Sequence, residues 1–288
     1  MTLAPKTIGI FSPSSSIIAD RFEQGCDILR QRGYTLVIHP QTYVGSESGN
    51  QPAGTPQEKV EAYRDLASMS EIDLIMASTG GNRSYFLLPD FLNGPNHKPL
   101  MGFSDTTTLL AAHYTKGIKG FFGPTVQTLS RMDAASVDLT FEILSGSRTK
   151  PITFETAKTL NAKHVTAPIF AATLSSLCVL AGTPFMPDLN GHILILEDVG
   201  DETSRFDRML WQSLNVVKPA GVIFGEFADT KDTGRPYGES MDNILEKHAN
   251  SLHCPVISNA PIGHNGQIFP IHQGQTVTFD ATNRTLIF

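Results

Sequence analysis

The sequence predicts an α/β protein with a mainly parallel sheet in its first half and a second domain after it. Short apolar runs typical of buried strands alternate with helical patterns over residues 1 to about 145. Ser, Gly, Lys and Thr residues then interrupt the pattern. With 288 residues, of which 40% are hydrophobic, the chain is long enough for two domains. We place an N-terminal domain at 1–147, a linker at 148–165 and a C-terminal domain at 166–288.

Each element of the first half has its own sequence signal. Apolar runs bounded by turn residues predict strands at Thr7–Phe11, Leu36–Ile38, Asp73–Ala77, the run that ends at Gly102, and Gly120–Pro124. Helical spacing predicts helices over Phe22–Leu29, from the capping box at Thr55 through Ala67, and over Leu109–Tyr114.

The second half continues with a similar alternation. Helices are predicted over Leu174–Leu180, Thr203–Leu214 and Met241–His248, and strands over Gly191–Leu196, Gly221–Gly225 and Val256–Ser258. The alternating pairs Val277/Phe279 and Leu286/Phe288 predict closing antiparallel strands.

Composition and charge exclude several classes of protein. The net charge of −6 gives no basic field for nucleic acid or an anionic membrane. The cysteines Cys26, Cys178 and Cys254 lie too far apart to indicate a disulfide framework or a structural zinc site. The apolar run Ile8–Phe11 is too short for a secretory signal, and no stretch approaches a membrane span. We expect a cytoplasmic protein that binds neither nucleic acid nor membrane.

Three loops follow predicted parallel strands, and ligand sites in such sheets lie beyond the carboxyl ends of the strands. They are Ser12–Ser16, the segment around Gly80 and Gly81, and the turn at Ser104. Two consecutive glycines let the backbone approach a ligand, although a simple turn is the alternative. The chain lacks both a dinucleotide-binding glycine fingerprint at this loop and a phosphate-binding Gly-Lys-Ser/Thr loop anywhere.

Ser104 is the candidate nucleophile. It follows an apolar run that ends at Gly102 and precedes a helical pattern, which predicts a sharp turn between strand and helix. A serine at such a helix N-terminus lies beside free N–H groups that stabilise an oxyanion. The alternative is a helix cap, because Ser, Asp and Thr are favoured at that position.

A serine nucleophile needs a base, and the base needs an orienting acid. His264 lies in a Pro-, Gly- and Asn-rich turn directly after a buried strand, where a surface histidine is the alternative. Glu197 ends the strongest apolar strand of the second half, where a carboxylate is costly without a partner. Its alternative role is to favour the N-terminus of the following helix.

With these residues collected, the sequence resembles the LD-carboxypeptidase family of serine peptidases, which includes the microcin C immunity peptidases. The similarity runs over nearly the whole chain. It is carried by Ile8–Ser15, Gly80-Gly81, Lys98–Asp105, Leu174–Pro184, Leu196–Gly200 with Arg205–Leu210, and Pro261–His264. The resemblance implies a flavodoxin-like N-terminal domain, a smaller β-rich C-terminal domain and a homodimer.

The resemblance also implies the triad Ser104, Glu197 and His264, without a metal or cofactor. Backbone N–H groups of Asp105 and Gly81 would form the oxyanion hole. Gly80, Asn82 and Arg83 are the candidate substrate-binding residues. Arg83 suits a terminal carboxylate, and a solvated surface arginine is its alternative.

The substrate implied by the family is a murein tetrapeptide, a peptidoglycan fragment that loses its terminal D-alanine during cell-wall recycling. An aminoacyl-nucleotide antibiotic or related amide is the alternative. The motif Gly80-Gly81-Asn82 is closer to the immunity peptidases, whereas Glu197–Gly200 is closer to the carboxypeptidases. Ala171–Leu174 replaces the family's Gly-Gly-Asn-Leu. A non-catalytic protein that binds a small ligand is the alternative from another class.

Overall fold

The computed structural model describes residues 5–47, 51–148, 150–232 and 234–288. They form two compact units. The first consists of the chain as far as Arg148 together with the short segment Phe269–Ile271. The second takes the chain from there to Ile268 and then His272–Phe288. The first unit is therefore discontinuous along the chain.

The elements are numbered in chain order. The strands are β1 (Thr7–Phe11), β2 (Thr35–Ile38), β3 (Leu74–Ala77), β4 (Leu100–Gly102), β5 (Phe121–Phe122), β6 (Ile152–Thr153), β7 (Lys158–Asn161), β8 (His164–Thr173), β9 (Ile193–Val199), β10 (Gly221–Ala228), β11 (Val256–Ser258), β12 (Ile271–His272), β13 (Thr276–Asp280) and β14 (Thr285–Ile287). The α-helices are α1 (Ala19–Gln31), α2 (Pro56–Ser68), α3 (Leu88–Phe91), α4 (Thr107–Thr115), α5 (Val126–Leu129), α6 (Ala134–Leu144), α7 (Leu174–Cys178), α8 (Thr203–Val216) and α9 (Met241–Asn250). Short 3-10 helices occupy Pro40–Tyr43, Ser84–Leu87 and Ser104–Thr106.

The first unit contains a six-stranded sheet in the order β2-β1-β3-β4-β5-β12. The pairs β1–β2, β1–β3, β3–β4 and β4–β5 are parallel. The order 2-1-3-4-5 is that of flavodoxin-like folds, which confirms the predicted class. In such sheets the order reverses between β1 and β3, and the loops that follow these two strands flank the usual ligand crevice.

Apolar side chains on one face of this sheet pack against α1, α5 and α6. Ile8, Ile10 and Met76 are fully buried there beside Phe22 of α1 and Val126 of α5. Burying one such side chain contributes about 1.5–3 kcal/mol, so this layer holds the strand ends in fixed positions. The capping box predicted at Thr55 is present at the start of α2.

The second unit contains an eight-stranded sheet in the order β6-β14-β13-β8-β9-β10-β11-β7. Its central strands β8, β9, β10 and β11 are parallel neighbours. The strands β13 and β14 pair antiparallel, as their alternating apolar residues predicted. Ile193 to Leu196 of β9 are fully buried, which explains why this strand gives the strongest apolar run of the second half.

The structure differs from the prediction over residues 148–165, which were expected to form a linker. This stretch contains β6, β7 and the start of β8, and Thr149 lies outside the described residues. The strands β6 and β7 are the two outermost of the sheet. An edge strand buries few side chains, so it lacks the long apolar run by which a central strand is predicted.

Candidate active site

Ser104 follows β4 after one intervening residue, Phe103, and begins a 3-10 helix that continues into α4. Its φ is 60°, a left-handed conformation that costs a residue with a Cβ atom about 1–2 kcal/mol. A strained turn between strand and helix is the geometry that exposes a nucleophilic serine. The N-cap residues of these two helices are Phe103 and Thr106, so Ser104 is not their N-cap.

The Asp105 side chain connects the Ser104 turn to the glycine loop. Its Oδ2 atom accepts hydrogen bonds from the backbone N–H groups of Arg83 at 2.8 Å and Ser84 at 2.7 Å. The Ser84 hydroxyl donates to the Asp105 carbonyl at 2.6 Å. The buried carboxylate therefore fixes the loop that follows Gly80 and Gly81.

The Gly80–Gly81 loop packs closely on Ser14 and Ser15 of the loop after β1. The Ser15 N–H donates to the Gly80 carbonyl at 3.2 Å, and the Arg83 N–H donates to Ser14 Oγ at 3.1 Å. A Cβ atom on Gly81 would lie 2.2 Å from Ser14 Oγ, so only glycine fits there. A Cβ atom on Gly80 would lie 3.2 Å from Ser104 Cβ, which places this loop against the candidate nucleophile.

Lys59 was missed by the sequence analysis. Its side chain extends from α2 and its Nζ atom donates to the Ser14 carbonyl at 2.6 Å, while the residue is only 2% exposed. The pKa of Lys59 is lowered to about 8, chiefly by burial and secondarily by the Arg83 charge, while the Asp105 charge opposes the shift. The available signal was its spacing, because Lys59 continues the buried helical positions of Ala62, Tyr63 and Leu66.

The two other proposed substrate-binding side chains differ in their surroundings. Asn82 is exposed. Arg83 is partly buried, and its Nη1 atom is buried without a hydrogen-bond partner in the part of the chain that the structure describes. An unpartnered guanidinium nitrogen is costly, so Arg83 differs from an ordinary surface arginine.

Glu197 and His264 are brought together in the second unit. The Nδ1 atom of His264 lies 2.8 Å from Oε2 of Glu197, whose side chain is fully buried in β9. The Thr173 hydroxyl donates a short hydrogen bond to Oε1 of the same carboxylate. Burial raises the pKa of Glu197, and the hydrogen bonds from His264 and Thr173 oppose that rise.

This contact determines the chemistry available to the imidazole. When Glu197 is ionised, its carboxylate only accepts hydrogen bonds, so this contact then requires the His264 proton on Nδ1. Its Nε2 atom then bears the lone pair and can accept a proton from a hydroxyl group. The pair therefore has the composition of a general base with an orienting acid.

A β-bulge in β10 supports the turn that carries His264. The register of β10 against β9 shifts between Phe224 and Phe227. Within the bulge, the Glu226 N–H donates to the Ile262 carbonyl at 2.8 Å, and its Oε2 atom accepts from Asn265 N–H at 2.9 Å. Glu226 therefore holds both sides of the His264 turn. The sequence signal was a glycine, Gly225, inside a strand pattern.

Asp198 contacts a helix that precedes it in the chain rather than α8, which follows it. Its Oδ2 atom accepts from Ser175 N–H at 2.6 Å, in the first turn of α7. The carboxylate therefore stabilises the helix that follows Thr173 rather than α8. Asp201, in contrast, accepts from Glu202 N–H immediately before α8.

The described part of the chain contains neither a metal-binding cluster nor a membrane-spanning helix. In residues 5–47, 51–148, 150–232 and 234–288, no group of three His, Cys, Asp or Glu side chains is arranged to hold a metal ion. Over these same ranges, no helix combines the length and apolar character needed to cross a bilayer.

Two models of one protein family match the two halves of the chain. The model of the LD-carboxypeptidase N-terminal domain matches residues 8–123, and that of the LD-carboxypeptidase C-terminal domain matches residues 166–279. The chain belongs to the LD-carboxypeptidase family. Family membership supports a serine carboxypeptidase, and hence a hydrolase.

Relatives of this LD-carboxypeptidase family member include proteins with two different names. The murein tetrapeptide carboxypeptidase of Pseudomonas aeruginosa is 26% identical, covering 95% of this chain and 92% of the relative. The microcin C7 self-immunity protein of Escherichia coli is 27% identical, covering 97% and 92%. A wild-type apo structure of the microcin C7 self-immunity protein has a TM-score of 0.83 at 22% identity, covering 99% of this chain and 97% of that one. It shares the two-domain α/β fold.

Proposed function

We propose that this protein is a serine carboxypeptidase with Ser104 as nucleophile, His264 as general base and Glu197 as the orienting acid. The observation that carries the proposal is the 2.8 Å contact between His264 Nδ1 and the buried Glu197 carboxylate. That contact gives the imidazole the tautomer which a serine nucleophile requires. The strained backbone of Ser104 supports the same assignment.

In the proposed reaction, Ser104 Oγ attacks the scissile carbonyl carbon while His264 Nε2 takes the hydroxyl proton. The tetrahedral intermediate collapses as that proton passes to the leaving amine, which leaves an acyl-serine. Water then attacks the ester, His264 again transfers the proton, and the acid product and free serine form. Glu197 stabilises the imidazolium formed in both halves of the reaction.

The oxyanion hole in this proposal consists of the backbone N–H groups of Asp105 and Gly81. Asp105 follows the nucleophile at the start of a helix, where N–H groups are directed toward a developing negative charge. The assignment of Gly81 as the second donor is supported by two observations. Its loop packs beside Ser104, and Ser14 fixes the conformation of that loop. Each such donor accounts for about 10²–10³ in rate.

Exopeptidase specificity requires a group that recognises the terminal carboxylate of the substrate. Arg83 is the proposed group, because one guanidinium nitrogen is buried without a partner among the described residues. A guanidinium matches a carboxylate in both charge and geometry. Gly80 and Asn82 complete the proposed substrate-binding loop.

The proposed substrate is the L,D bond of a murein tetrapeptide, with release of terminal D-alanine in cell-wall recycling. The name of the Pseudomonas aeruginosa relative supports this class of substrate. An amide of the aminoacyl-nucleotide type is the second candidate. It is supported by the Gly80-Gly81-Asn82 motif and by the name of the Escherichia coli relative.

The decisive experiment uses purified protein with a murein tetrapeptide that ends in D-alanine and its stereoisomer that ends in L-alanine. We expect chromatography to detect release of D-alanine only, with Ser104→Ala inactive and a chelator without effect. Turnover of an aminoacyl-nucleotide amide alone would favour the second candidate. Ligand binding without turnover of either substrate would contradict the enzyme assignment.

A homodimer and a cytoplasmic location are further parts of the proposal. The homodimer is implied by the family resemblance, and the cytoplasmic location is the expectation from the sequence. Light scattering after size-exclusion chromatography is expected to give twice the mass of one chain, and fractionation of the source cells is expected to place the protein in the cytoplasm.

A further inference from the structure

Lys59 is a buried cation that the proposed reaction does not use. It is 2% exposed, and its Nζ atom donates to the Ser14 carbonyl at 2.6 Å. Among the described residues no carboxylate forms an ion pair with it. A buried ammonium without an ion pair weakens the folded state, so packing does not explain a lysine here.

The charged groups around Lys59 belong to the candidate site. The positive charge of Arg83 and the negative charge of Asp105 both act on its pKa. Asp105 follows the proposed nucleophile, and Arg83 follows the glycine loop. Lys59 therefore interacts electrostatically with residues on both sides of the proposed oxyanion hole.

The partner of Lys59 is the residue that holds the glycine loop. Ser14 Oγ accepts from Arg83 N–H at 3.1 Å, and the next residue, Ser15, donates its N–H to the Gly80 carbonyl at 3.2 Å. Ser14 Oγ also fills the space that a Cβ atom on Gly81 would occupy, at 2.2 Å. The position of Ser14 therefore determines the position of the Gly81 N–H.

We propose that Lys59 is a positioning residue for the oxyanion hole: its ammonium fixes the Ser14 carbonyl, and Ser14 in turn fixes the Gly81 N–H group. This inference rests on the proposed function for the role of Gly81 in catalysis. The mechanical part, in which Lys59 holds the loop through Ser14, stands on the contacts of the first unit alone. A displaced oxyanion donor weakens binding of the transition state more than binding of the substrate.

The test compares Lys59→Met and Lys59→Arg with the wild type. Methionine keeps most of the volume of the side chain and removes the charge and the donor, whereas arginine keeps both. Lys116→Met is the matched control, because Lys116 is an exposed lysine after α4. We expect Lys59→Met to lower kcat about 10- to 100-fold and to change KM less than about threefold, because uniform binding is kept. Arginine is expected to restore part of kcat.

Hydrogen exchange of residues 80–84, followed by mass spectrometry, provides a readout that needs no substrate. We expect faster exchange of this segment in Lys59→Met and wild-type exchange in Lys116→Met. Unchanged exchange in Lys59→Met would overturn the proposal, as would wild-type kcat despite faster exchange. Failure of the proposed function would instead appear as an inactive wild type, and the exchange data alone would then decide whether Lys59 holds the loop.

Discussion

His264 Nδ1 and Glu197 Oε2 lie 2.8 Å apart, and the carboxylate in this contact is fully removed from solvent. Burial raises the pKa of Glu197, so its ionised form is maintained by partners rather than by water. The partners are His264 and the Thr173 hydroxyl. The buried Glu197 carboxylate therefore both orients the imidazole and lowers the stability of the folded protein.

Glu197→Gln is expected to separate these two effects. Glutamine cannot hold the required tautomer, so kcat should fall by about 10⁴. The wild-type carboxyl has an unfolded pKa near 4.5 and a higher folded value, so the folded state binds more protons between them. Wild-type stability should therefore fall relative to the glutamine variant as the pH rises through that window. Urea unfolding at pH 4 and pH 7 measures this difference, and a fully active Gln variant would contradict the assignment.

Ser104→Gly should be more stable than Ser104→Ala, although both should be inactive. Glycine relieves a left-handed strain of about 1–2 kcal/mol, from which about 0.5–1 kcal/mol is lost to the greater freedom of the unfolded chain. A net advantage of about 0.5–1 kcal/mol remains. Alanine retains the Cβ atom and the strain at φ 60°. Denaturant midpoints provide the measurement, and a glycine variant less stable than the alanine variant would show that the turn is unstrained.

Gly225→Ala tests the bulge that supports the His264 turn. A Cβ atom there would lie 2.4 Å from the Ile262 carbonyl oxygen and 3.0 Å from Glu197 Cβ. We expect a loss of about 1–3 kcal/mol in unfolding free energy and a fall of at least about tenfold in kcat from the displaced base. Gly94→Ala is the control, because its nearest neighbour would be 3.8 Å away. Equal behaviour of both variants would exclude a role for the bulge.

Arg83→Met tests recognition of the terminal carboxylate. Loss of a charge-assisted hydrogen bond of about 1.5–3 kcal/mol should raise KM about 10- to 100-fold. A substrate with a terminal carboxamide should bind wild type and variant equally, because it lacks the charge. Initial rates with the two substrates measure the difference. Equal losses on acid and amide would assign Arg83 a structural role.

Lys59→Met is expected to increase stability near neutral pH. The unfolded lysine keeps its proton up to about pH 10.5, whereas the folded pKa is about 8, so the unfolded state binds more protons in between. Wild-type stability should therefore rise through this window. The advantage of methionine, about 1–3 kcal/mol at pH 7, should shrink as the pH approaches 10.5. An advantage that does not change with pH would show that Lys59 is not buried as a cation.

The sequence best predicted those elements whose formation depends on residues close together in the chain. Buried parallel strands such as Ile193–Leu196 give continuous apolar runs, and the capping box at Thr55 is a short-range hydrogen-bond pattern. The turn between β4 and α4 was likewise predictable from Gly102 and the polar residues after it. Strands β1 to β5 and helices α1, α2 and α4 were predicted from such signals, whereas α3, α5, α6 and β12 were not.

The sequence was least informative where a role depends on distant partners. Lys59 has an ordinary residue type for a helix, and its burial depends on Ser14, which lies 45 positions away. Thr173 and Glu226 were missed for the same reason, because their contacts join separate strands and turns. The edge strands β6 and β7 lack long apolar runs, so residues 148–165 were expected to form a linker.

The return of Phe269–Ile271 to the first unit has a consequence for protein engineering. A recombinant fragment that stops at Arg148 lacks β12, the strand beside β5 at the margin of the six-stranded sheet. The edge of β5 that normally pairs with β12 would then be exposed. Its unpaired backbone groups could pair with another copy of the fragment, which is a route to aggregation. Separate expression of the first unit therefore requires a circular permutation or a graft that supplies this strand.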